Sequence, residues 1–217
     1  MTQKNIDILK KKGWIELESC SDETKLLEAA KSIGNIVKQP NQQDIFSLYP
    51  SEANDAKEGT FSNLHGKSEF PLHTDTAFLN IPIRYMLLNT EKDSFCGTTV
   101  LSTKNLFHQL SVEEMKIATK SIFLLKTNKG SYFTSLFFRQ MSEEGFRYDS
   151  TCMTPINKHA KDFVPILQRA INGVEPEVIK WDRHKTVLID NWKTLHGRES
   201  IGADSKRELK RIYINVL

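Results

Sequence analysis

Residues 121–149 read SIFLLKTNKGSYFTSLFFRQMSEEGFRYD. Three runs in that span, SIFLLKT, SYFTSLFF and FRYD, are rich in β-branched and aromatic residues and are separated by turn formers. Such side chains suit a pleated, half-buried surface, so each run predicts a strand. A doubly wound α/β fold would place a helix after nearly every strand. From residue 121 onwards strand follows strand, with one helical interruption at NKHAKDFVPILQRAIN (157–172). Further runs of the same character are WIEL (14–17), DIFSLY (44–49), RYMLLN (84–89), TTVLS (98–102), EVIKW (177–181), TVLID (186–190) and RIYINVL (211–217). About ten short strands imply a mainly β fold with helices (α+β), of the jelly-roll sandwich type.

Three helices are predicted around those strands. SDETKLLEAAKSIGN (21–35) opens with Ser21 as a capping residue, spaces Leu26, Leu27, Ala30 and Ile33 on one face, and closes near Gly34. SVEEMKIATK (111–120) carries a capping box in Ser111 and Glu114. The helix at 157–172 contains Pro165, which predicts a kink or a split. With no internal repeat, low-complexity tract or linker, the 217 residues read as a single domain, 1–217.

Composition bounds the function. Hydrophobic residues make up 39% and charged residues 26%, a globular balance without an apolar run long enough to span a bilayer or a leader-like N-terminus. A formal net charge of +3, with basic and acidic residues interspersed, argues against nucleic acid as a partner. Cys20, Cys96 and Cys152 are few and far apart, which suits the reducing cytoplasm and excludes a disulfide framework or a CxxC zinc site.

The chemistry-bearing stretch is FPLHTDTAF (70–78), which puts His73 and Asp75 one residue apart. Residues i and i+2 of an extended chain point to one side, so an imidazole and a carboxylate can reach one ion there. The same pattern also serves an ordinary turn whose aspartate accepts backbone hydrogen bonds, and the local spacing leaves both readings open. A third ligand is offered by His196 in TVLIDNWKTLHGRES, where a buried apolar strand runs into a polar segment and then presents a histidine followed by glycine. Two histidines and one carboxylate on one side of an ion leave three positions open, the arrangement of non-haem Fe(II) oxygen chemistry rather than of a closed structural zinc site.

Near the C-terminus, SKRELKRIYINVL places Arg207 and Arg211 on the same strand face as Leu209, with Glu208 pointing the other way. If that face is interior, each guanidinium needs an anion, and carboxylates of bound small molecules suit the planar fork. A solvated edge strand with alternating charges is the competing reading. Tyr132, Phe133, Phe137 and Phe138 can wall a pocket or fill a β core, and Asn191 and Trp192 can support His196 or simply form a turn.

HTDTAF, PIRYMLLN, CGTTVLS, DNWKTLHGRES and RELKR follow one another in an order and spacing that resembles the Fe(II)/2-oxoglutarate-dependent oxygenases of the taurine dioxygenase and clavaminate synthase-like superfamily. The resemblance covers residues 60–217. Residues 1–60 match loosely, through a GWIEL strand and the helix after it, and read as an N-terminal strand and helices packed on a core over 61–217. The resemblance implies a double-stranded β-helix, Fe(II) held by His73, Asp75 and His196, and 2-oxoglutarate and O₂ as co-substrates. It assigns Thr99 and Arg207 to the far carboxylate of 2-oxoglutarate, with Thr98 one residue away as an alternative. The family's glycine pair before that threonine is here Cys96 and Gly97. Arg211 matches the position that grips the carboxylate or sulfonate of the primary substrate.

The implied reaction is hydroxylation of an unactivated C–H in a small carboxylate-bearing molecule, a free or modified amino acid, with release of succinate and CO₂. Relatives that halogenate carry a small residue where Asp75 stands, so halogenation is disfavoured. Desaturation, epoxidation or cyclisation, and a carrier-bound substrate, stay open within the class. Outside it stand a non-catalytic jelly-roll binding module and a metal-dependent hydrolase.

Overall fold

The computed structural model describes residues 2–39, 41–127, 130–202 and 207–216. Leu217, at the end of RIYINVL, and Ser205 and Lys206, at the start of SKRELKR, lie outside the described residues. In chain order the elements are α1 (Gln3–Lys12), β1 (Trp14–Leu17), α2 (Glu23–Ile33), β2 (Asn35–Val37), β3 (Phe46–Leu48), α3 (Phe61–His65), β4 (Phe70–His73), β5 (Tyr85–Asn89) and β6 (Ser94–Ser102). They continue as α4 (Thr103–Phe107), α5 (Val112–Thr119), β7 (Ile122–Thr127), β8 (Gly130–Ser135), β9 (Phe137–Gln140), β10 (Glu143–Phe146) and β11 (Met153–Pro155). The chain closes with α6 (Lys158–Asn172), β12 (Glu177–Trp181), β13 (Thr186–Asp190), β14 (Thr194–Arg198) and β15 (Leu209–Asn215).

The pairings recorded between these strands are antiparallel. A six-stranded sheet runs β1-β13-β5-β15-β2, with β3 also paired to β15, and a four-stranded sheet runs β12-β6-β14-β4. Smaller sheets are β11-β7-β8 and β10-β9. Strands from the N-terminal stretch therefore extend the six-stranded sheet on both sides of its β13-β5-β15 centre. Alternation along the strands divides the core into layers. Ile212 and Ile214 of β15, with Leu87 and Leu188, pack under α1 and α2 against Leu9, Leu26 and Ala30. On the other face Met86, Leu88, Val187, Leu209 and Tyr213 meet Val100, Ile179 and Trp181 of the four-stranded sheet. The outer face of that second sheet, with Leu101 and Leu195, joins a third cluster built around Phe123, Phe163 and Leu167.

The structure corrects several local expectations. The cap of α2 is Asp22, whose Oδ1 accepts the Lys25 N–H at 2.9 Å, while Ser21 donates its hydroxyl to Asp22. A carboxylate is the stronger acceptor for an orphan helix N–H. The capping box of α5 forms as expected, with Ser111 and Glu114 each accepting the other's backbone N–H. Pro165 does not split α6, because Ala160, Phe163, Leu167 and Ala170 stay buried on both sides of it and tertiary packing outweighs the lost hydrogen bond. SYFTSLFF is two strands broken at the buried Leu136, whose carbonyl accepts the Arg147 N–H. FRYD contributes only Phe146 to a strand, since Tyr148 bonds Thr74 instead. The strands β4 and β14, absent from the apolar runs, carry the two histidines of interest.

Candidate metal centre

Strands β4 and β14 pair so that His73 stands directly opposite His196. On its other edge β14 pairs with β6, His196 opposite Val100, which turns both imidazoles toward the layer between the two larger sheets. His196 thus sits mid-strand rather than at the strand end expected from the sequence. Between His196 and Arg198 lies Gly197, where a Cβ would fall 2.5 Å from the Phe70 carbonyl oxygen and 2.8 Å from Thr99 Oγ1. Only glycine lets the neighbouring strands come this close.

Asp75 follows β4 in a turn fixed from both sides. Thr74 N–H donates to the Tyr148 carbonyl at 2.8 Å. Thr76 adopts a left-handed φ of 56°, and its hydroxyl donates to the Asp75 carbonyl and accepts the Ile83 N–H. Asn191 clamps the aspartate's backbone: Oδ1 accepts the Asp75 N–H at 2.9 Å, and Nδ2 donates to the carbonyls of Asp75 at 2.9 Å and Ile83 at 2.8 Å. Of the two roles open to Asn191, it takes support, directed at Asp75 rather than at His196. Trp192 anchors the same corner by donating Nε1–H to the Pro82 carbonyl.

The three side chains converge. One ligand atom from each of His73, Asp75 and His196 lies within 4.8 Å of the others. Asp75 Oδ1 is 3.5 Å from His73 Nε2 and 3.8 Å from His196 Nε2. His73 Nδ1 is 2.8 Å from the Pro71 carbonyl oxygen, a contact that requires the proton on Nδ1 and leaves the Nε2 lone pair facing the carboxylate. His196 Nδ1 is buried and makes no hydrogen bond within the described residues. Burial pushes the Asp75 carboxyl up, but Arg211, His196 and His73 outweigh it and hold it well below the usual carboxylate range. Burial also disfavours charge on both imidazoles. For His73 the Asp75 carboxylate and then Asp149 reverse that and raise its pKa, whereas for His196 burial outweighs the Asp75 carboxylate and its pKa stays lowered. The ring of Phe61 in α3 stacks on His73 with centroids 3.8 Å apart and walls that side.

Register separates the two threonines. Thr98 pairs with Arg198 and Thr99 with Gly197, so Thr98 shares the face of His196 and Thr99 the opposite one. Thr98 is buried and its Oγ1 accepts the Trp181 Nε1–H at 3.0 Å. Thr99 instead lines a groove of about 780 Å³, with Leu72, Tyr148, Ile171 and Val178, whose lining omits the triad. Arg207 precedes β15 rather than lying within it; it is buried, and its Nε–H donates to the Cys96 carbonyl at 3.3 Å. Leu209, Arg211 and Tyr213 do share the inward face, while Glu208 accepts the Tyr49 hydroxyl elsewhere. Arg211 Nη1 donates to Asp75 Oδ2 at 3.1 Å, and Tyr213 donates its hydroxyl to the same oxygen at 2.7 Å.

The aromatic run does not wall the triad: Phe133 is 70% exposed, Phe137 packs on Phe107 and Phe146, and Phe138 meets Trp192 edge-on. Tyr132 donates its hydroxyl to the Phe78 carbonyl. Sequence reasoning missed Phe61, Tyr213 and Arg198. Arg198 is buried on the face of Thr98, lies over the Phe70 ring, and donates to the carbonyls of Gly66 at 2.7 Å and Ser68 at 2.5 Å. Burial and then the nearby Arg207 charge bring its pKa down to about 10. The i+2 spacing of Tyr213 from Arg211 was the one available signal for the tyrosine.

No protein-family model matches the chain, and no curated protein matches it in sequence. Solved structures do match in fold. PvcB from Pseudomonas aeruginosa superposes with a TM-score of 0.74 at 17% identity, over 99% of this chain and 80% of that one. PvcB is described as an Fe, alpha-ketoglutarate dependent oxygenase from an isonitrile synthetic pathway. Asparagine oxygenase, in complex with Fe(II), 2S,3S-3-hydroxyasparagine and succinate, matches with a TM-score of 0.76 at 15% identity, over 98% and 78% of the two chains. The non-heme iron oxygenase OrfP, with Fe, succinate and (3S)-hydroxy-L-Arg, matches with a TM-score of 0.71 at 15% identity, over 89% of this chain and 66% of that one. The chain therefore has the fold of these iron oxygenases.

Proposed function

We propose that this chain is an Fe(II)- and 2-oxoglutarate-dependent dioxygenase that hydroxylates a free or modified amino acid. The observation that carries the reading is the convergence of His73 Nε2, His196 Nε2 and Asp75 Oδ1 inside a fold shared with such enzymes. The donor set fits the ion: two neutral imidazole nitrogens and one carboxylate oxygen bind one side and leave the other for exchangeable ligands. Amino-acid substrates are supported by the hydroxyasparagine and hydroxyarginine bound to asparagine oxygenase and OrfP. The fold reading extends to a double-stranded β-helix, or jelly roll, made by the six- and four-stranded sheets. Residues 1–217 act in this reading as one domain, in the cytoplasm.

When bound, iron supplies the activation of O₂ that lets an unactivated C–H be hydroxylated as 2-oxoglutarate becomes succinate and CO₂. The chain's own residues bind, orient and shield. His73, Asp75 and His196 hold the ion, with the Nδ1–H to Pro71 fixing the tautomer of His73. Arg207 pairs with the far carboxylate of 2-oxoglutarate. Thr98 assists it in preference to Thr99, a choice supported by the shared face of Thr98 and His196. Phe61 keeps water from one side of His73.

Anaerobic addition of Fe(II) and 2-oxoglutarate to the purified chain should give the weak visible charge-transfer band of the chelate. In air, succinate release across a panel of amino acids should identify the substrate. Absence of both the band and succinate overturns the reading.

A further inference from the structure

Arg211 was expected to face the substrate, yet its guanidinium is already engaged on several sides. Nη1 donates to Asp75 Oδ2 at 3.1 Å and Nη2 to Gln39 Oε1 at 3.4 Å. Its Cζ lies 4.3 Å from the Tyr213 ring centroid and 5.5 Å from that of Phe46. Tyr213, buried among the inward apolar side chains, puts its hydroxyl on the same carboxylate oxygen at 2.7 Å. The two residues are i and i+2 on β15, which is paired on both edges, so the backbone presents both groups to one point.

We infer that Arg211 and Tyr213 are positioning residues for Asp75, holding Oδ2 so that Oδ1 alone is presented to the ion between the two imidazoles. The inference rests on the metal-binding reading above and gives Arg211 a different task from gripping substrate. A carboxylate with both oxygens free can take two coordination positions. One whose second oxygen is occupied by a hydroxyl and a guanidinium takes one, and keeps three positions for a chelating co-substrate and O₂. Partners of this kind orient metal ligands, and their removal costs about 10- to 100-fold in metal affinity. Substrate carboxylate recognition then falls to other groups.

The test is titration of the metal-free full chain with Co(II) alone, following the visible d–d bands, for wild type, Tyr213→Phe, Arg211→Gln and Arg211→Lys. Wild type should bind one ion. Tyr213→Phe and Arg211→Gln should each weaken binding about 10-fold or more, and the bands should change position and intensity as Oδ2 is released to the ion. Arg211→Lys, which keeps the charge but loses the fork, should fall between, and it decides the role of Arg211 if the glutamine variant does not fold. Tyr213→Phe removes one oxygen from a ring that stays packed. Wild-type affinity and spectrum in either variant, with loss confined to the KM for the amino acid in the succinate assay, overturn that residue's role. If wild type itself takes up no Co(II), the metal reading falls instead.

Discussion

The four-stranded and six-stranded sheets meet across one apolar layer, yet they bring unlike groups to the triad and are built differently. The four-stranded sheet supplies His73 and His196 and is irregular, with register shifts between β4 and β14 at His196–Arg198 and between β12 and β6 at Ile179–Trp181. The six-stranded sheet keeps continuous register through β1-β13, β13-β5 and β5-β15, and from that ladder come Arg211, Tyr213 and, just past β13, Asn191. Each of these touches Asp75 rather than a histidine. The irregular sheet brings the two imidazoles and the regular one restrains the carboxylate between them.

The largest effect should come from the ligand sheet. His73→Ala or His196→Ala should lower metal affinity by more than the roughly 100-fold seen for losing an outer partner, and abolish succinate release, with near-UV circular dichroism unchanged. Tight metal binding in either variant would break the comparison outright. Arg207→Ala should raise the 2-oxoglutarate requirement about 30-fold or more, from the roughly 2–5 kcal/mol cost of breaking a buried charged pair, while metal affinity holds. Unchanged 2-oxoglutarate affinity would remove Arg207 from the site.

On the restraining side, Asn191→Ala would leave the Asp75 N–H and the Ile83 carbonyl without their partner. About 2–4 kcal/mol of stability should be lost in denaturant unfolding, with metal affinity falling alongside it. Stability lost without weaker metal binding would reduce Asn191 to a fold element.

The smallest effect lies outside both sheets. Backbone N–H groups of Lys25 and Ser111 hold the Asp22 and Glu114 carboxyls below their ordinary values of 3.8 and 4.5. Because the folded values are depressed, their stabilisation is complete above the ordinary values and is lost as pH falls through the lowered ones. Asp22→Asn and Glu114→Gln should flatten the decline of Tm in acid without altering metal affinity at neutral pH.

The difference between the sheets also explains what the sequence could reveal. TVLID and RYMLLN read as strands because their inward and outward positions are both largely apolar, and EVIKW because Ile179 and Trp181 alternate with exposed residues. In β4 and β14 histidines take inward positions and Gly197 interrupts the apolar pattern, so these stretches read as strand ends rather than as strands of their own. His73, Asp75 and His196 were candidates from residue type and spacing, but the local spacing left a turn open, and the resemblance to the oxygenase family is what joined them as one triad. Thr98 and Thr99 could not be told apart without the pairing of β6 on β14, because a one-residue step turns a side chain to the other face. The partner of Arg211 was equally hidden, since nothing local to β15 announces that Asp75 lies across from it.

Gly197 carries a consequence for the spacing of the two histidines. With no methyl group at that position, the Phe70 carbonyl of β4 and Thr99 of β6 close on β14, and the bite between the imidazoles is set by backbone contact. A wedge as small as one carbon would force those strands apart and change that spacing. The separation of the two histidines thereby depends on a residue that has no side chain.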